Sequence, residues 1–199
     1  RDYYEDIKQQ GILLEENPNW PGHFIVDARN PLWAKYLVEK LVPDILHKGF
    51  DGIMVDTLDS LYFLEMDNPQ KYAGMGQAGA DLIRTVRQHF PDIVIMVNRG
   101  IELLPKTEQH IDMLMAESIY VKHDFKTGKN SIFPDDVYSS ALRDIKAAQA
   151  RAPHLQVYAL DYWDPQDEDG MRKIYDVHRS TGFSPFVSVI GLDELHDVE

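Results

Sequence analysis

Five times in this chain a short apolar triplet runs directly into an acid or an amide, and this recurrence limits the possible folds more than any other feature. Phe24-Ile25-Val26 leads into Asp27, Ile53-Met54-Val55 into Asp56, and Ile95-Met96-Val97 into Asn98. Leu114-Met115-Ala116 leads into Glu117, and Tyr158-Ala159-Leu160 into Asp161. Apolar runs this short, opened by Gly or turn residues, read as buried parallel strands. A carboxylate or amide at a strand exit is costly to bury without a partner. In α/β folds the C-terminal strand ends are also where chemistry is housed. The recurrence therefore predicts parallel strands whose polar ends converge on one site.

Between the triplets the pattern becomes helical. Asn30-Pro31 supplies an N-cap and a first-turn proline for a helix to about His47, with Trp33, Leu37, Leu41, Ile45 and Leu46 on one face. Pro43 is expected to kink or split that helix, and Gly49 to end it. Further helices are expected over 77–90, from Pro134, and over 168–180, the last capped by Gly182. Residues 59–75 and 119–133 read as long polar connections, and Phe186–Ile190 as a sixth strand. Six βα units of roughly 30 residues each indicate a parallel α/β architecture. Closing a (β/α)8 TIM-type barrel would take two more units, about 50 residues, since such barrels run to roughly 250. The alternatives are a barrel lacking its first two βα units or an open sheet, and the converging acids favour the barrel. Residues 1–199 are then one N-terminally incomplete domain. No GxGxxG, Walker A, Gly-x-Ser-x-Gly or His-Glu-x-x-His motif is present.

Composition narrows the function. The absence of cysteine excludes disulfides, thiolate metal sites and cysteine nucleophiles. It also fits an exported protein, so an extracytoplasmic location is expected, although no signal peptide is visible in a segment that opens at Arg1. The formal net charge of −13 argues against nucleic acid. It suits a cationic partner such as an amino-sugar polymer, and equally a protein that is acidic for solubility alone. No apolar run approaches a membrane span. A monomer is expected.

The segment Gly-Phe-Asp-Gly-Ile-Met-Val-Asp-Thr-Leu-Asp-Ser at 49–60 resembles the signature of the α-1,4-galactosaminidase barrels. These are glycoside hydrolase family 114 and the related hydrolase domain of the Pel exopolysaccharide protein. Asn-Pro-Asn-Trp-Pro-Gly at 17–22 and Phe-Ile-Val-Asp-Ala-Arg-Asn-Pro-Leu-Trp at 24–33 resemble the family's preceding segment. Ala116-Glu117-Ser118 resembles its acidic strand end, and Gly-Phe-Ser-Pro-Phe at 182–186 its last strand. The resemblance implies a (β/α)8 barrel that cleaves galactosamine-containing polymers internally, with Asp56 and Glu117 as the catalytic pair. The family's first two strands have no counterpart here.

Glycoside hydrolysis usually needs two carboxyl groups flanking the bond. Asp56 is the expected nucleophile and Glu117 the expected general acid/base. Either could instead pair with a structural Arg29 or Arg99. Asp27, Asp59 and Asp161 would bind sugar hydroxyls or an ammonium group, or else cap helices and turns. Asn98 would hold a hydroxyl near the reacting carbon or satisfy the backbone. Arg99 is expected to orient an acid by ion pairing. Tyr120, Tyr162 and Trp163 would stack on sugar faces, or pack between loops. Trp20 reads as a lid or a stacking platform. No histidine spacing marks a metal site and no cofactor is expected. A metal held by Asp27, Asp56 and Asp161, in a metal-dependent hydrolase, is a rival reading, as is a non-catalytic polysaccharide-binding barrel or inactive fragment.

Overall fold

A computed structural model describes residues 3–17 and 20–195. Pro18 and Asn19 of the expected loop, and His196, lie outside the described residues. The centre is a parallel sheet of five strands in the order β3 (Gly52–Val55), β4 (Val94–Asn98), β5 (Met113–Glu117), β8 (Gln156–Tyr162) and β9 (Ser184–Ser188). Spatial order follows chain order, as repeated βα units require. The outer strands β3 and β9 each have a strand partner on one side only among the described residues.

Side-chain parity then sorts the strand residues onto two faces. Ile95 and Val97 of β4, Leu114 and Ala116 of β5, and Val157 and Ala159 of β8 are buried in one apolar cluster. The same cluster takes Ile83 and Val86 from helix α5 (Met75–His89) and Ile145 and Ala148 from helix α7 (Asp135–Arg151). Each such aliphatic side chain contributes about 1.5–3 kcal/mol on burial. Gly52 opens β3 for a local reason. A Cβ there would meet the Val94 carbonyl oxygen at 2.1 Å, so only glycine lets β3 lie against β4.

The first expected strand belongs elsewhere. β2 (Phe24–Val26) pairs antiparallel with β1 (Leu13–Glu16) in a separate two-stranded sheet, after the short helix α1 (Tyr4–Gln9). Its triplet matches the others in composition, but its partner is a neighbouring segment rather than the next βα unit. The parallel strands therefore number five among the described residues, not six.

Pro43 does split its helix. α2 (Pro31–Tyr36) is capped by Asn30, whose Oδ1 accepts the Leu32 N–H at 3.0 Å. The chain passes through a π turn at Leu37–Leu41 and restarts as α3 (Val42–His47). Proline cannot supply the N–H a continuous helix needs, and the wider turn absorbs the break. Both expected long connections contain structure. Residues 59–67 form α4 (Asp59–Asp67), and α5 starts at Met75 rather than Gln77. A short 3₁₀ turn (Ile101–Leu103) and α6 (Leu104–Thr107) join β4 to β5. Residues 121–132 form a hairpin of β6 (Val121–Asp124) and β7 (Lys129–Ile132). Helix α8 (Glu168–Ser180) leads into β9, which begins two residues before the expected sixth strand.

Candidate active site

The polar exits of adjacent strands meet at the C-terminal edge of the sheet. Asp56 directly follows β3, Asn98 closes β4, Glu117 closes β5 and Tyr162 closes β8. The register aligns them. Asn98 pairs with Met115, two residues before Glu117, and Glu117 pairs with Leu160, two residues before Tyr162. Steps of two keep side chains on one face, so these residues share the face opposite the helix-packed core.

Asn98 joins the two acids. Its Nδ2 donates to Asp56 Oδ1 at 2.9 Å and to Glu117 Oε2 at 2.5 Å. Both oxygens lie on one nitrogen, so they are no more than about 5.4 Å apart. Tyr162 donates its hydroxyl to Glu117 Oε1 at 2.5 Å. Burial, and then the hydrogen bond to Glu117, push the Tyr162 phenol far above its usual range, so it stays a neutral donor. Asn98 is 5% exposed, and its own Oδ1 is buried without a protein partner. An unpaired buried acceptor costs about 1–3 kcal/mol, so the amide's orientation serves the carboxylates at its own expense.

The backbone beneath this trio carries a repeated strain. Thr57, Arg99 and Ser118, each immediately after a site residue, have φ of 57°, 59° and 52°. Left-handed conformations cost a non-glycine residue about 1–3 kcal/mol, and they cluster where structure enforces function. Here the turn has a clear effect. The Arg99 N–H donates to the Met115 carbonyl at 2.9 Å, and the Ser118 N–H to the Leu160 carbonyl at 2.8 Å. The ladder thus holds β4 and β5 one residue past their polar side chains before the chain turns away.

Asp59 lies beside the pair at the start of α4 and is buried. Burial pushes its carboxyl up, the Arg99 guanidinium opposes that with Nε at 2.7 Å, and the charge of Glu117 adds to the rise. Arg99 is therefore held on Asp59, not on Asp56 or Glu117. The trio and Tyr162 line an open groove of about 680 Å³ that Trp20, Thr57 and Ser60 also line. Two carboxylates and no lysine or arginine face this groove among its described residues.

Five expected site residues lie elsewhere. Asp161 is fully buried; Oδ1 accepts the Val121 N–H at 2.9 Å and Oδ2 pairs with His178 Nε2 at 2.6 Å. Parity explains the error. Asp161 follows its triplet as Glu117 follows its own, but β8 is longer, and one residue's difference turns the side chain under α8 while Tyr162 takes the groove. Tyr120 is buried in a second apolar cluster with Met171 and Ile174 and meets Tyr138 and His178 edge-on. Trp163 donates Nε1 to Asp167 Oδ2 at 2.8 Å, next to the N-terminus of α8. Asp27 is engaged by Arg29, whose Nε and Nη2 reach its two oxygens at 2.8 and 2.9 Å. Arg29 Nη1 also reaches the Lys71 and Ala73 carbonyls, so it ties loops together rather than orienting a groove acid. Asp27 and Asp161 thus have partners of their own away from Asp56, and no group of three or more acid or histidine side chains is placed to hold a metal ion among the described residues. Sequence reasoning missed the Tyr162–Glu117 bond, although counting by two from Leu160 would have placed that hydroxyl on the groove face.

Comparisons with known proteins bear on the fold and the family. The chain superposes on the glycoside hydrolase domain of PelA from Pseudomonas aeruginosa with a TM-score of 0.78 and 25% identity, over 98% of this chain and 77% of that one. A glutamate-to-alanine variant of that domain gives the same figures. An uncharacterized protein of Deinococcus radiodurans is 30% identical over 111 residues, 55% of this chain, and the chain covers about a third (35%) of that curated relative's length. The sequence profile of glycoside-hydrolase family GH114 matches residues 1–199, and the chain belongs to that family.

Proposed function

We propose that this chain is a retaining endo-glycosidase acting on α-1,4-linked galactosamine or N-acetylgalactosamine polymer, with Asp56 as nucleophile and Glu117 as general acid/base. One observation carries the mechanism: a single Asn98 nitrogen holds one oxygen of each carboxylate. The limit of about 5.4 Å on that oxygen pair supports a retaining enzyme, whose carboxyls are about 5–5.5 Å apart, over an inverting one, whose water needs roughly 6.5–9.5 Å. In the first step Asp56 attacks the anomeric carbon while Glu117 gives its proton to the leaving oxygen. In the second, Glu117 takes a proton from water, and the water displaces Asp56 from the sugar. Asn98 and Tyr162 each give one donor to a different Glu117 oxygen, which leaves each oxygen a lone pair for the travelling proton.

The substrate reading draws on the sequence resemblance and on charge. A groove with two carboxylates and no lysine or arginine among its described lining residues, on a chain of net charge −13, favours a cationic amino-sugar chain over an acidic one. An extracytoplasmic location fits a polymer substrate of this kind. The full eight-stranded barrel is part of the same proposal, since further strands could pair along the sides of β3 and β9 that have no strand partner among the described residues. The test is reducing-end release from partly deacetylated polymer, with the product anomer followed by NMR. Asp56→Asn and Glu117→Gln should each abolish release, and the wild type should first yield the α anomer. A first-formed β anomer, or full activity in either variant, refutes the assignment.

A further inference from the structure

A second set of side chains, reaching the same groove through Trp20, has no role in the chemistry above. Trp20 lines the groove together with Asp56, Glu117 and Tyr162, yet it is 47% exposed. Its ring meets Phe125, 50% exposed, with centroids 5.9 Å apart and planes at 80°. The two come from unrelated parts of the chain: Trp20 from the β1–β2 connection, Phe125 from the turn of the β6–β7 hairpin. His123 packs edge-on against Phe125 at 4.8 Å, and its Nδ1 is tied to Asn130 Oδ1 at 2.7 Å.

Both turns are built to hold these rings in place. In the first, the His23 N–H donates to the Trp20 carbonyl at 3.1 Å and the Gly22 N–H to Glu16 Oε1 at 2.6 Å. In the second, Asp124 accepts the Gly128 N–H on its carbonyl at 2.7 Å and the Lys126 N–H on Oδ1 at 2.8 Å. Neither ring is needed to fill the core, and large apolar rings left in water mark an interaction surface. With these contacts made, both rings stay about half exposed, so aromatic surface remains for a ligand. Groups held in place before binding lose little entropy when a ligand arrives. The electron-rich face of an aromatic ring attracts a cation, indole most strongly.

We propose that Trp20 and Phe125 form a remote sugar subsite, an aromatic clamp that stacks on an amino-sugar ring and attracts its ammonium group. This rests on the polysaccharide reading above and adds a second contact along the same groove. The subsite takes no part in bond breaking. It grips chains long enough to reach from the cleavage point to the clamp, and so sets chain-length preference.

The experiment measures kcat/KM in the intact protein for galactosamine oligomers of increasing length, fully deacetylated and fully N-acetylated. Variants are Trp20→Ala, Phe125→Ala and the conservative Trp20→Phe. Above a threshold length, each alanine variant should lose about tenfold or more on deacetylated oligomers, through KM rather than kcat. Below it both should match the wild type, and Trp20→Phe should recover much of the loss. An equal loss on N-acetylated oligomers overturns the ammonium part. Loss at all lengths shows a structural role and overturns the subsite. No loss at any length, in a wild type that cleaves the oligomers, overturns the subsite alone. A wild type that cleaves none of the oligomers refutes both the function and the subsite.

Discussion

Replacing Asn98 with alanine should separate activity from stability. The side chain gives one hydrogen bond to Asp56 and one to Glu117, the proposed nucleophile and acid/base, at 2.9 and 2.5 Å. A hydrogen bond to a charged group contributes about 1.5–3 kcal/mol. Only the part that grows toward the transition state affects the rate. As Glu117 gives up its proton its charge builds and its bond from Asn98 strengthens, while the bond to Asp56 weakens as that carboxylate bonds to carbon. The net loss is then about one charge-assisted bond. At 1.4 kcal/mol per tenfold, kcat should fall by roughly 10- to 100-fold. Stability should respond differently. The substitution also removes the unpartnered Oδ1, an acceptor whose burial costs about 1–3 kcal/mol, and it leaves space beside an open groove that water can fill. The melting temperature should therefore stay level or rise, the trade expected of a site residue. The assay pairs steady-state kinetics on the polymer with a thermal melt. Activity within twofold of wild type, or a melting temperature lowered by more than about 4 °C, would show that Asn98 serves the fold rather than the carboxylates.

Three further perturbations follow from the same geometry. Tyr162→Phe removes the donor to Glu117 Oε1 and should lower kcat about tenfold or more. Because burial holds the Tyr162 phenol far above its usual value, the wild-type pH–rate profile should show no alkaline limb from it below about pH 10, and such a limb, absent in the variant, would contradict this. Gly52→Ala places a Cβ against the Val94 carbonyl oxygen and should cost about 3 kcal/mol in a denaturant titration, with activity lost as β3 moves Asp56; an unchanged midpoint would show that the strands can separate freely. Arg29→Gln should destabilise in a pH-dependent way. Arg29 holds the Asp27 carboxyl below its ordinary value, so its contribution is fully present above about pH 3.9 and is lost as pH falls through the lowered native value. The gap in melting temperature between wild type and variant should narrow in acid and leave only the part due to the Lys71 and Ala73 carbonyl bonds, whereas a gap constant with pH would disprove the linkage.

The chain's own pattern was enough to place the central polar residues of the groove. Asp56, Asn98 and Glu117 each follow an apolar triplet, and burying three short strands in a parallel sheet leaves their exits little choice but one common edge. The break at Pro43 was legible because it acts on its own immediate backbone. Pairing and parity were not. Phe24–Val26 has the same composition as the central strands, yet it pairs antiparallel with β1, because strand partners are chosen by non-local contacts. Asp161 looks like Glu117 in sequence, yet one residue of extra strand turns it beneath α8 to His178 and gives the groove to Tyr162. The hairpin that brings Phe125 to Trp20 was equally hidden in a polar stretch. Local propensity sets which residues can end a strand; only the packed sheet, through its period of two and its choice of neighbours, decides which of them face one another.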